Sequence, residues 1–249
     1  MLIALATIAL AEPHLGGEPL PSKGEWVVEP GTLVWPVNGY GGSVVPELFV
    51  GYGASEKLDF RLGAGLDVPV YHFDDGGVFW GYTDPSLDRV ELLGRHTWRD
   101  VGKASSVSLG LRAGGENLTP LGKFSLGPEA EWRWPKPWGT LSYRIALLVT
   151  PEYLPSYWGL LDTAIGFSVP VKRSSLFVDL APWVGLGLGS YGNSGAIFMP
   201  WPGFTADAGA WVPTGKRSQL AMAVRYVADW GMEPEDFQLY LRWRLALGG

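Results

Sequence analysis

The segment Lys123–Thr150 reads KFSLGPEAEWRW, then PKPWG, then TLSYRIALLVT. In its first arm Phe124, Leu126, Pro128, Ala130, Trp132 and Trp134 fall on one parity. Lys123, Ser125, Gly127, Glu129, Glu131 and Arg133 fall on the other. Successive side chains of a strand point to opposite faces, so this arm is a strand with one apolar and one polar face. Pro135 to Gly139 breaks the alternation as a turn. The second arm alternates again, with Leu141, Tyr143, Ile145, Leu147 and Val149 against Ser142, Arg144 and Ala146. Each arm runs about 11 residues, roughly the length of a tilted membrane-spanning strand.

The same pattern recurs along the chain. A weak first strand lies within Trp26–Val37 and is strongest over residues 32–37. Further strands are marked by Val44–Tyr52, Leu58–Val68, Val90–Trp98 and Val107–Leu111. After the quoted hairpin come Leu161–Val169, Leu176–Leu188, Phe204–Val212, Leu220–Tyr226 and Phe237–Leu247. The strand over 90–98 is the least regular, because Leu92-Leu93 interrupts its alternation. The sum is about twelve strands, an even number, as closed bacterial barrels need. Short turns at 54–57, 99–103, 135–139, 170–174 and 214–217 alternate with longer, aromatic loops, among them 69–88 and 189–202. That sidedness is expected of a membrane barrel, with short periplasmic turns and long outer loops.

Composition narrows the function. The chain has 249 residues and no linker, so residues 25–249 are expected to form a single β domain. Residues 1–11 form a short apolar run ending Ala9-Leu10-Ala11, which reads as an export signal without the usual basic start. Residues 12–24, rich in Pro and Gly, read as a flexible N-terminus. There is no cysteine, so no disulfide or thiolate metal site can form. A net charge of −6 argues against nucleic acid as a partner.

A soluble sandwich alternates too. Three features favour a membrane barrel. The polar face mixes Gly, Ala and Ser with Asp, Glu and Arg, which suits a narrow lumen where a guanidinium bridges acids. Lys57, Lys103, Lys136, Lys172 and Lys216 each sit in a short turn. Trp132, Trp134, Trp138, Tyr157, Trp158, Trp201, Tyr226 and Trp230 gather at strand ends, where interfacial girdles form.

The segment Phe49–Gly63, FVGYGASEKLDFRLG, looks like a common hairpin of bacterial outer-membrane β-barrel proteins, and the wider chain resembles that superfamily. The resemblance implies an all-β, closed, antiparallel, up-and-down transmembrane barrel in the outer membrane, with membrane lipid as its surroundings. It departs at the end, which reads LALGG instead of closing on an aromatic residue.

No nucleotide fingerprint, zinc spacing or nucleophile elbow is present, so no cofactor and no catalytic or metal-binding set is expected. The stronger constellation is the set of charges on the inward parity. It comprises Glu47, Asp59, Arg61, Asp67, Arg112, Glu129, Glu131, Arg133, Arg144, Asp162, Asp179, Asp207, Arg225, Arg242 and Arg244. These would line a passage for small polar solutes, or fill the lumen as a self-compensating network among Phe177, Trp183, Trp211 and Tyr240. Arg144 is expected to meet Glu129, Glu131 or Asp162. Tyr71, His72, Asp74, Asp75 and Trp80 form a candidate binding loop. A hydrolase acting on lipid or peptide would have to use His72, or His96 with Ser105 or Ser106. A soluble lectin-like protein would use the acidic, aromatic loop.

Overall fold

The computed structural model describes residues 21–35, 41–74, 77–79, 86–99, 101, 106–116, 123–149, 157–190, 196–229 and 236–248. The strands are β1 (Trp26–Trp35), β2 (Gly41–Gly53), β3 (Leu58–Asp74), β4 (Gly77–Phe79), β5 (Ser86–Arg99), β6 (Ser106–Glu116) and β7 (Lys123–Lys136). They continue with β8 (Gly139–Val149), β9 (Tyr157–Val171), β10 (Ser174–Ser190), β11 (Ala196–Pro213), β12 (Ser218–Asp229) and β13 (Asp236–Leu247). β4 pairs only with the far end of β3. The other twelve pair antiparallel with their chain neighbours, and β1 pairs with both β2 and β13. The sheet therefore closes on itself as a twelve-stranded up-and-down barrel. A lectin-like sandwich would need two packed sheets, and here the twelve long strands close into one.

One expected span holds and two move. β1 runs from Trp26 to Trp35, inside the expected Trp26–Val37, and includes the part where the alternation is weak. Pro30-Gly31 hides the alternation, but Val27, Glu29 and Leu33 are all buried on one face. Their ladders come from β2 on one side and β13 on the other. The stretch 69–88 is not one loop, since β3 continues to Asp74 and β5 starts at Ser86. Within 189–202, β11 already starts at Ala196 and pairs with β10 as far as Ser190. Long hairpins carry strand pairing past the region where the apolar alternation fades.

Prolines inside strands interrupt the ladder on one side and leave the register intact. Pairing of β2 with β3 skips from Val44↔Val68 to Glu47↔Gly65 around Pro46. Pairing of β7 with β8 skips from Leu126↔Val149 to Glu129↔Ala146 around Pro128. Around Pro182, β10 and β9 skip from Leu180↔Ile165 to Trp183↔Asp162. Thr163 there donates its hydroxyl to the Pro182 carbonyl at 2.7 Å. A missing N–H thus costs one rung and not the strand.

The outer surface is apolar. Leu111 is 57% exposed and Leu62 53%, and Leu92, Leu176, Leu239 and Leu241 sit on the same outward face. An exposed apolar surface of this extent around a whole sheet is a lipid-facing belt, not a soluble surface. Aromatic pairs mark its edges. Trp26–Tyr52, Trp132–Tyr143 and Trp138–Phe167 lie toward the short-turn end, with ring centroids 4.5, 5.8 and 5.2 Å apart. Tyr226–Phe237 lies toward the other end at 5.1 Å. Lys57, Lys136, Lys172 and Lys216 are exposed in or beside the short turns, and Lys172 has a left-handed φ of 57° in the β9–β10 turn. Lys103 lies outside the described residues.

The interior is packed. One buried apolar cluster joins Leu33, Val45, Phe177, Trp211 and Tyr240, and a second joins Ala146, Leu148, Leu160 and Trp183. Two rings lie flat against glycines of the adjacent strand. A Cβ at Gly63 would collide with the Phe49 ring, and one at Gly203 with the Trp183 ring. Each glycine faces its aromatic partner directly across the ladder.

The belt makes a depth-dependent prediction. Leu111→Arg, midway along β6, should destabilise the barrel by about 2–4 kcal/mol, whereas Val101→Arg, in a short turn, should cost about 0–1 kcal/mol. Urea titration of the folded band on a cold gel, in lipid vesicles, measures both. Equal midpoints for the two variants would remove Leu111 from the lipid belt.

Candidate functional site

The interior charges sit on alternate residues of strands whose other face is apolar. Closure then points them at one another. They form three groups.

The first group centres on Glu29 of β1. Arg244 Nη1 donates to its Oε1 at 2.9 Å, and Arg61 Nη2 donates to its Oε2 at 3.4 Å. Arg242 lies 3.7 Å from both Glu29 and Glu47, an ion-pair distance too long for a hydrogen bond. The faces of the Arg242 guanidinium are covered instead, 4.2 Å from the Phe49 centroid and 4.9 Å from that of Tyr240. Arg61 lies over the same Phe49 ring at 4.4 Å. Phe49, held against Gly63, therefore contacts two cations.

The second group spans β3 to β9. Arg95 donates through Nε and Nη2 to Asp59 Oδ2 at 3.0 and 2.8 Å, and lies 3.5 Å from Glu131. Arg133 Nε donates to Glu131 Oε1 at 2.6 Å. Arg112 reaches Glu91 and Asp162, both at 3.5 Å, and lies 3.6 Å from Glu129. Arg144 donates to Asp162 Oδ2 at 3.0 Å and lies 4.0 Å from Glu129. Glu131 is directly opposite Arg144 in the β7–β8 register. Adjacent strands are about 4.8 Å apart, so Arg112 on β6 meets Asp162 on β9 only because the wall curves.

The third group is a two-pronged pair. Arg225 Nε and Nη2 donate to Asp207 Oδ1 and Oδ2 at 2.8 and 3.0 Å. Asp179, also buried, sits opposite Asp207 across β10 and β11.

Asp162 and Arg242 are 0% exposed and Glu131 is 1% exposed. These three side chains are thus shielded from solvent inside the barrel. Arginine supplies the cation in each of these pairs, as a planar fork able to hold several carboxylates demands.

Two sets of expected residues have side chains outside the described ones. Asp67 lies in β3 opposite Ser86, and its side chain is outside the described residues. Of the candidate loop, Tyr71, His72 and Asp74 lie at the far end of β3, with side chains outside the described set, and Asp75 and Trp80 are wholly outside it. Sequence reasoning missed Glu29, Glu91 and Arg95. Glu29 lies in the part of β1 where Pro30-Gly31 weakens the alternation. Glu91, Leu93, Arg95 and Thr97 share one parity, so the irregular Leu92-Leu93 pair is one outward and one inward residue. Tracking charges by parity would have found them.

His96 does not assemble a hydrolytic pair with Ser106. It lies on the outward parity of β5, its ring centroid 4.5 Å from that of Trp98. Ser106 shares the parity of Ser108, which is buried inside and bonded to Thr97. Ser105 lies outside the described residues.

Comparison with solved structures gives the same fold. An outer membrane channel from Pseudomonas putida F1 superposes with a TM-score of 0.63 at 13% identity, over 95% of this chain and 99% of that one. The NanC porin superposes with a TM-score of 0.56 at 9% identity, over 89% of this chain and 100% of that one. The architecture is that of a bacterial outer-membrane β-barrel. No protein-family model matches the chain. No curated protein matches it significantly.

The Arg144–Asp162 contact yields a coupling prediction, because both side chains are almost wholly buried. Arg144→Leu alone strands buried acids and should cost about 3–5 kcal/mol. Replacing both Arg144 and Asp162 with Leu should cost less than the sum of the singles, by roughly 0.5–3 kcal/mol. A double-mutant cycle on equilibrium unfolding in lipid vesicles reads the difference, and strict additivity would deny the coupling.

Proposed function

We propose that this chain is a non-enzymatic outer-membrane barrel forming a narrow polar passage for small polar solutes, occluded by its own ion pairs. The observation that carries the reading is the chemistry of the filling. A barrel interior can be packed with apolar side chains, and replacing buried ion pairs by such packing is often neutral or stabilising. This interior instead carries charged residues at successive levels, from Arg244 and Glu29 near the short-turn end to Arg112 and Asp162 deeper in the bore. Ion pairs exchange partners with water and solute charges, whereas close-packed apolar side chains do not. The channel and the porin that share the fold are consistent with this reading.

A structural or surface-binding barrel is the second reading. It is favoured by the near-zero exposure of Arg242 and Asp162.

Planar-bilayer recording separates the two. The wild-type barrel should give small, discrete conductance steps. Arg112→Ala removes the cation that joins Glu91, Glu129 and Asp162 across the bore, and should enlarge the steps severalfold. A bilayer that stays silent for both proteins at high load would establish the structural reading.

A further inference from the structure

The five residues before β1 do not run away from the barrel. They turn back into its short-turn mouth. Gly24, at a left-handed φ of +76°, makes the reversal. Gly24 N–H donates to the Gly53 carbonyl at 2.7 Å, and Gly53 N–H donates to the Glu25 carbonyl at 3.0 Å. The bend is closed internally. Glu25 N–H donates to the Ser22 carbonyl at 2.9 Å, and Ser22 N–H donates to the Glu25 carboxylate at 2.7 Å.

The path then climbs inward. Gly53 and Gly51 lie on the inward parity of β2, opposite Asp59 and Arg61 of β3. Gly53 is the last residue of β2, and Gly51 lies one inward position deeper. A Cβ at Gly53 would collide with the Ser22 carbonyl. At Gly51 it would come within 3.9 Å of the Pro21 ring. Gly53 thus leaves room for the Ser22 backbone, while Pro21 lies at ordinary contact distance from the Gly51 position. Val27, the first inward side chain of β1, is only 3% exposed although it stands at the open end of a barrel.

Clefts of about 350 and 540 Å³ remain around Ser22 and Glu25. Arg217 borders both, Arg244 the first and Arg99 the second. The strap therefore divides the mouth and does not seal it.

We propose that Pro21–Glu25 is a strap that gates the short-turn mouth, seated against Gly53 and released when a side chain fills that place. The gating role rests on the passage proposed above, while the placement of the strap does not. Release widens the mouth without touching the deeper ion pairs.

Two readouts keep those claims separate. The chain has no cysteine, so Val27→Cys provides a single thiol beneath the strap. Its labelling by a membrane-impermeant maleimide should be slow in the otherwise wild-type barrel. It should accelerate at least tenfold when Gly53→Val expels the strap. Glu25→Ala, which removes only the bond to Ser22 N–H, should accelerate labelling less, and it serves if Gly53→Val does not fold. Bilayer conductance of the same variants without the cysteine should rise together with labelling. Unchanged labelling in the folded variants overturns the strap. Faster labelling with silent bilayers throughout keeps the strap as a cover and overturns both the passage and the gate.

Discussion

Pairing of β1 with β13 is the interaction on which the rest depends. In hydrocarbon an unpaired backbone N–H or C=O costs several kcal/mol, so a sheet can cross a membrane only without edges. The register Trp26↔Leu247 to Val34↔Leu239 removes both edges at once. Closure at twelve strands then dictates the interior. The outward parity must be apolar along every strand, and everything polar is forced into a bore narrow enough for side chains of opposite walls to touch.

Filling that bore combines two devices. Rings on glycines supply bulk, as Phe49 on Gly63 and Trp183 on Gly203. Arginines supply reach, and they bind acids several strands away. The devices meet at Phe49, whose ring contacts the guanidiniums of Arg61 and Arg242 while Glu29 and Glu47 face the same cations. Lysine would serve poorly there. Its ammonium is strongly hydrated and cannot fork between two carboxylates. The lysines of the described turns stay outside, where water solvates them.

A packed bore and a passage are compatible if the packing can part. Arg225 on Asp207 is a short two-pronged pair, and Arg95 on Asp59 is nearly as tight. Arg242 is held only by long ion pairs and ring faces. The contacts are therefore unequal, short at Arg225 and long at Arg242.

The sequence by itself determined the class of the fold and the inside–outside assignment. Alternation with period two is a local property, and the apolar parity of a strand such as Phe124–Trp134 has only lipid to face once the sheet closes. Inward charges such as Arg144, Asp162 and Arg225 were legible for the same reason. The alternation is weak where a proline and a glycine blur it, as at Pro30-Gly31, because partners on both sides supply the order there. Only the tertiary structure decided which acid meets which arginine. Arg112 and Asp162 stand 50 residues apart and meet across a curved wall whose radius no local pattern encodes. The inward turn of Pro21–Glu25 was equally hidden, since a Pro- and Gly-rich segment reads as a loose end until Gly53 on another strand is seen to make room for it.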